Sequence, residues 1–270
     1  MSEDKKKWYQ RKDFDVRDYT LFVSKIIQFC SRHKFTMESL GKTDGYPITL
    51  VTGHKNPGPD LLIAGGFHGE ESAGPWGIIR FMETVSPEAL TRCNLSFLPC
   101  VTITGFIKKK RENWLGDTAN GGFIHEEREH EEKSVEGEIL EKHIKRLSAL
   151  GKNGFLTMHE DKDEGKFYLY SYERTGKPTQ FSTGLRDTGG KFFGVMEDKK
   201  MTSPGGGNCI DGIIFGHCDG TFEDYIYHLG TDFVACTETP QKNRMDKRID
   251  ANSALLAEFV RFFLIKKGKD

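Results

Sequence analysis

Short, unbroken apolar runs alternating with amphipathic helical segments constrain this chain more than any other feature of its 270 residues. The run Leu61-Leu62-Ile63-Ala64-Gly65-Gly66 shows no polar alternation, the pattern of a strand buried on both faces. Further strand-like runs are 48–52, 95–106, 154–159, 166–172, 191–196 and 232–237. Between them, Tyr19, Phe22, Val23, Ile26 and Cys30 fall at helical spacing behind Asp18 as N-cap. Pro75 opens a helix over 76–85, and Ser134 precedes one with Ile139, Leu140, His143, Ile144 and Leu147 along one face. Residues 251–267 form a closing amphipathic helix. The pattern predicts a single α/β domain over 1–270, with a mixed, mostly parallel twisted sheet flanked by helices. Residues 1–17 read as a charged flexible segment.

Charge narrows the function classes. Lys+Arg 39 against Asp+Glu 40 leaves a net charge of −1, which disfavours a nucleic-acid partner. The start of the chain has no apolar signal core, and no apolar run is long enough to span a bilayer, so no membrane partner and a cytoplasmic location are expected. The six cysteines form no CxxC pair and read as thiols of a reducing compartment. The glycine-rich stretch 203–208 lacks the strand-before, helix-after context of a phosphate cradle.

The chemistry concentrates at strand ends. Gly65-Gly66-Phe67-His68-Gly69-Glu70-Glu71 follows the first buried strand, and ligand sites of α/β sheets form beyond the carboxyl ends of strands. His68 and Glu71, three residues apart, can meet one metal from the same side of a turn. His159 ends the strand 154–159, and Glu238 follows the strand 232–237. Two histidines and a glutamate are the ligand set of many catalytic zinc sites, and a further carboxylate is what such a hydrolase needs as general base. The charged run 125–132 also contains histidines, but their five-residue spacing spreads them around a helix, and it reads as a solvated face. Trp76, directly after the His-Glu turn, reads as a core anchor beneath the site.

Taken together, these segments resemble the zinc metallocarboxypeptidases of the carboxypeptidase A type, with their bacterial relatives and the succinylglutamate desuccinylase/aspartoacylase-like deacylases. The resemblance runs from about Gly41 to about Pro240. Gly41 to Ile48 is similar to a segment that precedes the first ligand in that family. Arg111, Asn113, Gly116, Asn120 and Phe123 fall at the offsets of a family motif, with Thr118 and Gly121 replacing its Asp and Arg. The resemblance implies the phosphorylase/hydrolase-like fold of those enzymes. It also implies one zinc ion per chain held by His68, Glu71 and His159. Glu238 would be the general base that later protonates the leaving nitrogen, and Arg111 the stabiliser of the oxyanion.

Gly121 stands where the family's carboxylate-gripping arginine would be, and glycine has no side chain for that task. The family's mobile tyrosine has no counterpart in Ile214-Phe215-Gly216-His217. Asn120, Arg244 and Arg248 are therefore the candidates for holding the substrate. The expected activity is zinc-dependent hydrolysis of an amide bond in a peptide-like substrate by a non-standard carboxypeptidase. Deacylation of an N-acyl amino acid is the alternative, and a catalytically silent metal-binding module is the alternative of another class.

Overall fold

Four apolar runs lie side by side in parallel: β4 (Asn94–Leu98), β3 (Asp60–Gly65), β5 (Gly154–Asp161) and β10 (Phe233–Pro240). The computed structural model describes residues 7–123, 132–201, 207–217 and 219–266. Antiparallel strands extend this centre on both sides: β1 (Thr36–Thr43) and β2 (Tyr46–Thr52) beyond β4, and β6 (Tyr168–Glu173) beyond β10. Past β6 come β9 (Ile213–Phe215), β8 (Asn208–Ile210) and β7 (Lys199–Lys200). Among the described residues this is one mixed ten-stranded sheet, ordered β1-β2-β4-β3-β5-β10-β6-β9-β8-β7.

The unbroken apolar character of the central strands has a direct cause. Leu61 and Ile63 of β3 point into one core, while Leu62 and Ala64 point into the other. The first core is covered by α1 (Tyr19–His33), α2 (Ala73–Thr84), α7 (Gln180–Phe193) and α9 (Met245–Lys266), with Phe22, Trp76, Phe181 and Phe259 buried in it. The second lies under α5 (Val135–Lys142), α6 (Ile144–Leu150) and α8 (Phe222–His228), with Leu140, Leu147 and Phe222. Shorter helices α3 (Pro87–Arg92) and α4 (Ile103–Lys108) flank β4. Trp76 is fully buried and donates its indole N–H to the Val16 carbonyl at 2.8 Å, the core anchor its position suggested.

Several elements differ from the sequence reading. Residues 95–106 are not one strand: Pro99 follows β4, and the chain turns into α4. Of the run 191–196, residues 191–193 end α7 and Val195, past the Gly194 cap, bridges Phe167; the glycines of that helix hid it. Gly189 packs so closely on the Phe167 ring that a Cβ would stand 2.4 Å from it, so packing overrides poor helix propensity. The helix after Ser134 is two, α5 and α6, divided at His143. Residues 36–43 pair with 46–52 across an Asp44-Gly45 turn, both residues at positive φ, and this hairpin was missed at its first strand. Of the segment 1–17, residues 1–6 lie outside the described residues. Of the rest, the aromatic residues are packed while the charged ones are exposed: Trp8 and Phe14 contact Trp76, and Tyr9 is 3% exposed. Its aromatic residues, outnumbered by charges in the sequence, dock it. The stretches 125–131 and 203–206 also lie outside the described residues. Among the described residues no helix is long and apolar enough to cross a membrane.

Register positions the site. β5 and β10 run parallel with His159 opposite Glu238, and β3 aligns Gly65 with Met158. The carboxyl ends of all three strands thus open at one edge. Because β6 is antiparallel to β10, it brings its beginning to that edge, placing Tyr168 opposite Glu238.

Candidate metal centre and cleft

The turn that carries His68 and Glu71 is shaped by backbone constraints. Gly66 has φ 66°, and its carbonyl accepts from Thr102 N–H at 2.8 Å. Gly69 lies against α4, where a Cβ would fall 2.1 Å from the Gly105 backbone. The Gly69 N–H donates to the Arg111 carbonyl at 3.1 Å, which ties the Arg111 loop to this turn. His159 arrives at the end of β5. On the opposite face, its neighbour Glu160 accepts from the Ala73 N–H at 3.0 Å, at the start of α2, and pairs with Arg248.

These constraints bring three buried donors together. His68 Nδ1 is 2.7 Å from Glu71 Oε1, His159 Nδ1 is 3.0 Å from Glu71 Oε2, and the two Nδ1 atoms are 3.3 Å apart. One ligand atom from each lies within 4.8 Å of the others. Glu71 Oε2 is buried yet receives no hydrogen bond of good geometry. Burial alone would raise the pKa of Glu71, but the neighbouring His68 and His159 outweigh it and hold the carboxyl well below its usual range. Burial would likewise lower that of His159, and Glu71 and Glu223 reverse it. The pocket therefore favours positive charge between its carboxylates. Two imidazole nitrogens and a carboxylate around one point form a donor set that suits a transition-metal ion.

Glu238 lines a cleft of about 580 Å³ at this centre, together with Arg111, Asp161, Tyr168 and Tyr170. Desolvation raises the pKa of Glu238 well above its ordinary value; Glu71 and Asp161 add to this, while His159 and Arg111 oppose it. Arg111 Nη1 stands 3.3 Å from Glu71 Oε1 and 3.8 Å from Glu70 Oε1. Cys236, two residues before Glu238 on the same strand face, is buried; desolvation first, then Glu223 and Glu238, keep its thiol protonated.

The structure separates the three residues expected to hold substrate from the cleft. Arg248 is 8% exposed and neutralises the buried carboxylate of Glu160. Arg244 pairs with Asp246 at 2.8 Å on the surface, its side chain 83% exposed. Asn120 Oδ1 accepts from the Phe222 N–H at 3.2 Å, at the start of α8. The lysines and arginine that do line the cleft are Arg111, Lys162, Lys199 and Lys200. Lys199 pairs with Glu164.

Tyr168, Tyr170 and Glu223 were missed in the sequence. Tyr168, Tyr170 and Tyr172 alternate along β6, a period-two signal that was available. Tyr170 is the sheet neighbour of Ile214, so the adjacent strand brings a phenol beside the segment where a tyrosine was sought. Nothing in the sequence marked Glu223, because α8 is short and lies far from the ligands along the chain.

No family model and no curated protein matches the sequence. Solved structures do. A candidate metallopeptidase of Shewanella amazonensis is 36% identical with TM-score 0.86, the match covering 92% of this chain and 94% of that one. One from Shewanella baltica is 37% identical with TM-score 0.87, covering 92% and 93%. The chain belongs to this metallopeptidase family. A metallo-carboxypeptidase from Burkholderia cenocepacia, 16% identical with TM-score 0.66 over 90% of this chain and 68% of that one, shares the fold. The chain thus shares the single mixed-sheet α/β fold of the carboxypeptidases, and its family places it among metal-dependent hydrolases.

Proposed function

We propose that the protein is a zinc-dependent hydrolase of an amide bond in a peptide-like substrate, acting as a non-standard carboxypeptidase. The convergence of His68 Nδ1, His159 Nδ1 and the Glu71 carboxylate, with Glu238 in register beside His159, carries this reading. His68, Glu71 and His159 would hold one zinc ion per chain. Zinc bound there would supply Lewis acidity, lowering the pKa of a water to about 7 and polarising the scissile carbonyl.

Glu238 takes the proton of the attacking water and returns it to the leaving nitrogen. A carboxylate can play both halves of that exchange, accepting the proton in one step and donating it in the next. Arg111 reaches the cleft from a loop tethered to the metal-binding turn, and its fixed charge meets the oxyanion as it develops. Its contact with Glu71 keeps the guanidinium directed inward.

The substrate carboxylate meets the lysine rim instead of an arginine at position 121. Lys200 lines the cleft and has no carboxylate within ion-pair distance among the described residues. An ammonium is a mobile point charge without the bidentate fork of arginine. Such a grip tolerates a carboxylate set at varied distances from the scissile bond, which fits a non-standard substrate better than an ordinary C-terminal residue. The test is turnover by the zinc-loaded protein on blocked dipeptides, murein-type peptides and N-acyl amino acids. Fastest turnover of the murein-type peptides supports the reading, fastest turnover of the ordinary blocked dipeptides overturns its non-standard part, fastest turnover of N-acyl amino acids favours the deacylase, and no turnover of any class favours the silent module.

A further inference from the structure

We propose that Glu223 is a positioning residue of the metal centre, acting through His159. The inference rests on the metal-centre reading above and concerns how one ligand is held. Glu223 lies in the first turn of α8 and is 1% exposed. Its Oε1 faces His159 Nε2 at 3.3 Å, on the side of the ring opposite Nδ1. Both partners retain unmet capacity: His159 Nε2 and Glu223 Oε2 are buried with no well-aligned hydrogen-bond partner.

A neutral imidazole carries one N–H and one lone pair, and the acceptor at one nitrogen decides which is which. Glu223 at Nε2 draws the proton there and leaves the Nδ1 lone pair facing His68 and Glu71. A carboxylate behind a ligating histidine also raises its basicity and fixes its plane.

The surroundings are built for this contact. Thr157, two residues before His159 on the same face of β5, donates its hydroxyl to Glu223 Oε1. Phe67 lies nearly parallel to the His159 ring, 5.9 Å away at 19°. Phe222, beside Glu223 in sequence, packs on Phe67, Phe123 and Phe155 and seats the start of α8. Asn120, retained from the family motif, accepts the Phe222 N–H and so helps fix the same turn. A buried carboxylate with an unsatisfied oxygen is costly to the fold, so stability alone does not account for it.

The experiment compares wild type, His159→Ala and Glu223→Gln by chelator competition for zinc, with melting of the metal-free forms alongside. Gln keeps the shape and removes the charge. Zinc affinity of Glu223→Gln should fall about 10- to 100-fold without a lower metal-free Tm. Nitrogen NMR of the zinc-loaded wild type should show the His159 proton on Nε2. If wild type binds zinc, His159→Ala does not, and Glu223→Gln stays within about twofold of wild type, the positioning role is overturned while the metal centre stands. If wild type fails to bind zinc, or His159→Ala binds it fully, the metal-centre reading falls and takes this role with it. Should Glu223→Gln fail to fold, the wild-type NMR decides: a His159 proton on Nδ1 in the zinc-loaded protein overturns the proposal.

Discussion

Glu238 lies directly across the sheet from His159, in register between the parallel strands β10 and β5. A side chain held by a buried ladder keeps its distance to its neighbour without help from a flexible loop, which suits the base proposed at Glu238. Glu238→Gln should therefore keep metal and fold but lose turnover by about 10²–10⁴-fold or more, since Gln retains the shape and cannot accept the proton. Steady-state kinetics on metal-replete protein check this. Wild-type turnover would place the base elsewhere.

Arg248 and Glu160 make a second prediction. Removing Arg248 strands a buried carboxylate that also caps α2. Arg248→Ala should destabilise by about 3–5 kcal/mol in urea unfolding. Arg244→Ala, on an exposed pair, should stay within about 0.5 kcal/mol and leave KM unchanged. A large KM effect from Arg244→Ala would restore it to substrate binding.

Lys200→Glu should raise KM for substrates with a free carboxylate and leave amidated analogues unaffected. Reversing a rim charge acts on ground-state binding more than on chemistry. Poor turnover of ordinary C-terminal dipeptides by wild type belongs to the same account. An equal effect of Lys200→Glu on free and amidated substrates would show that the rim does not read the carboxylate.

Glu38 and Arg146 tie β1 to α6, with Nη1 donating to Oε2 at 2.9 Å. The hydrogen bonds from Arg146 hold the Glu38 carboxyl below its ordinary range. A depressed folded pKa means stability that is present above the unfolded value and lost as pH falls through the folded one. The pair is solvent-screened, so its worth is at most about 1 kcal/mol. Melting of Arg146→Ala should lie slightly below wild type near neutrality and converge with it in acid. A gap that widens on acidification would contradict the assignment.

The strands that build the centre were legible because β3, β5 and β10 are buried on both faces and so carry unbroken apolar runs. The positions of His68, Glu71, His159 and Glu238 at their ends followed from the same pattern. Elements decided by tertiary packing were not legible: α7 is helical despite its glycines because Gly189 fits the Phe167 ring. Cleft walls were also hidden. Arg248 carries the same charge whether it meets a substrate or Glu160, and only the fold distinguishes the two. Glu223 comes beside His159 through the placement of α8 against β5.

The most direct measurement is zinc content after dialysis, on wild type and His159→Ala prepared side by side. One tightly held zinc per wild-type chain is expected, and little in the variant, which lacks one of the three proposed ligands. Full occupancy in His159→Ala, or none in wild type, would contradict it.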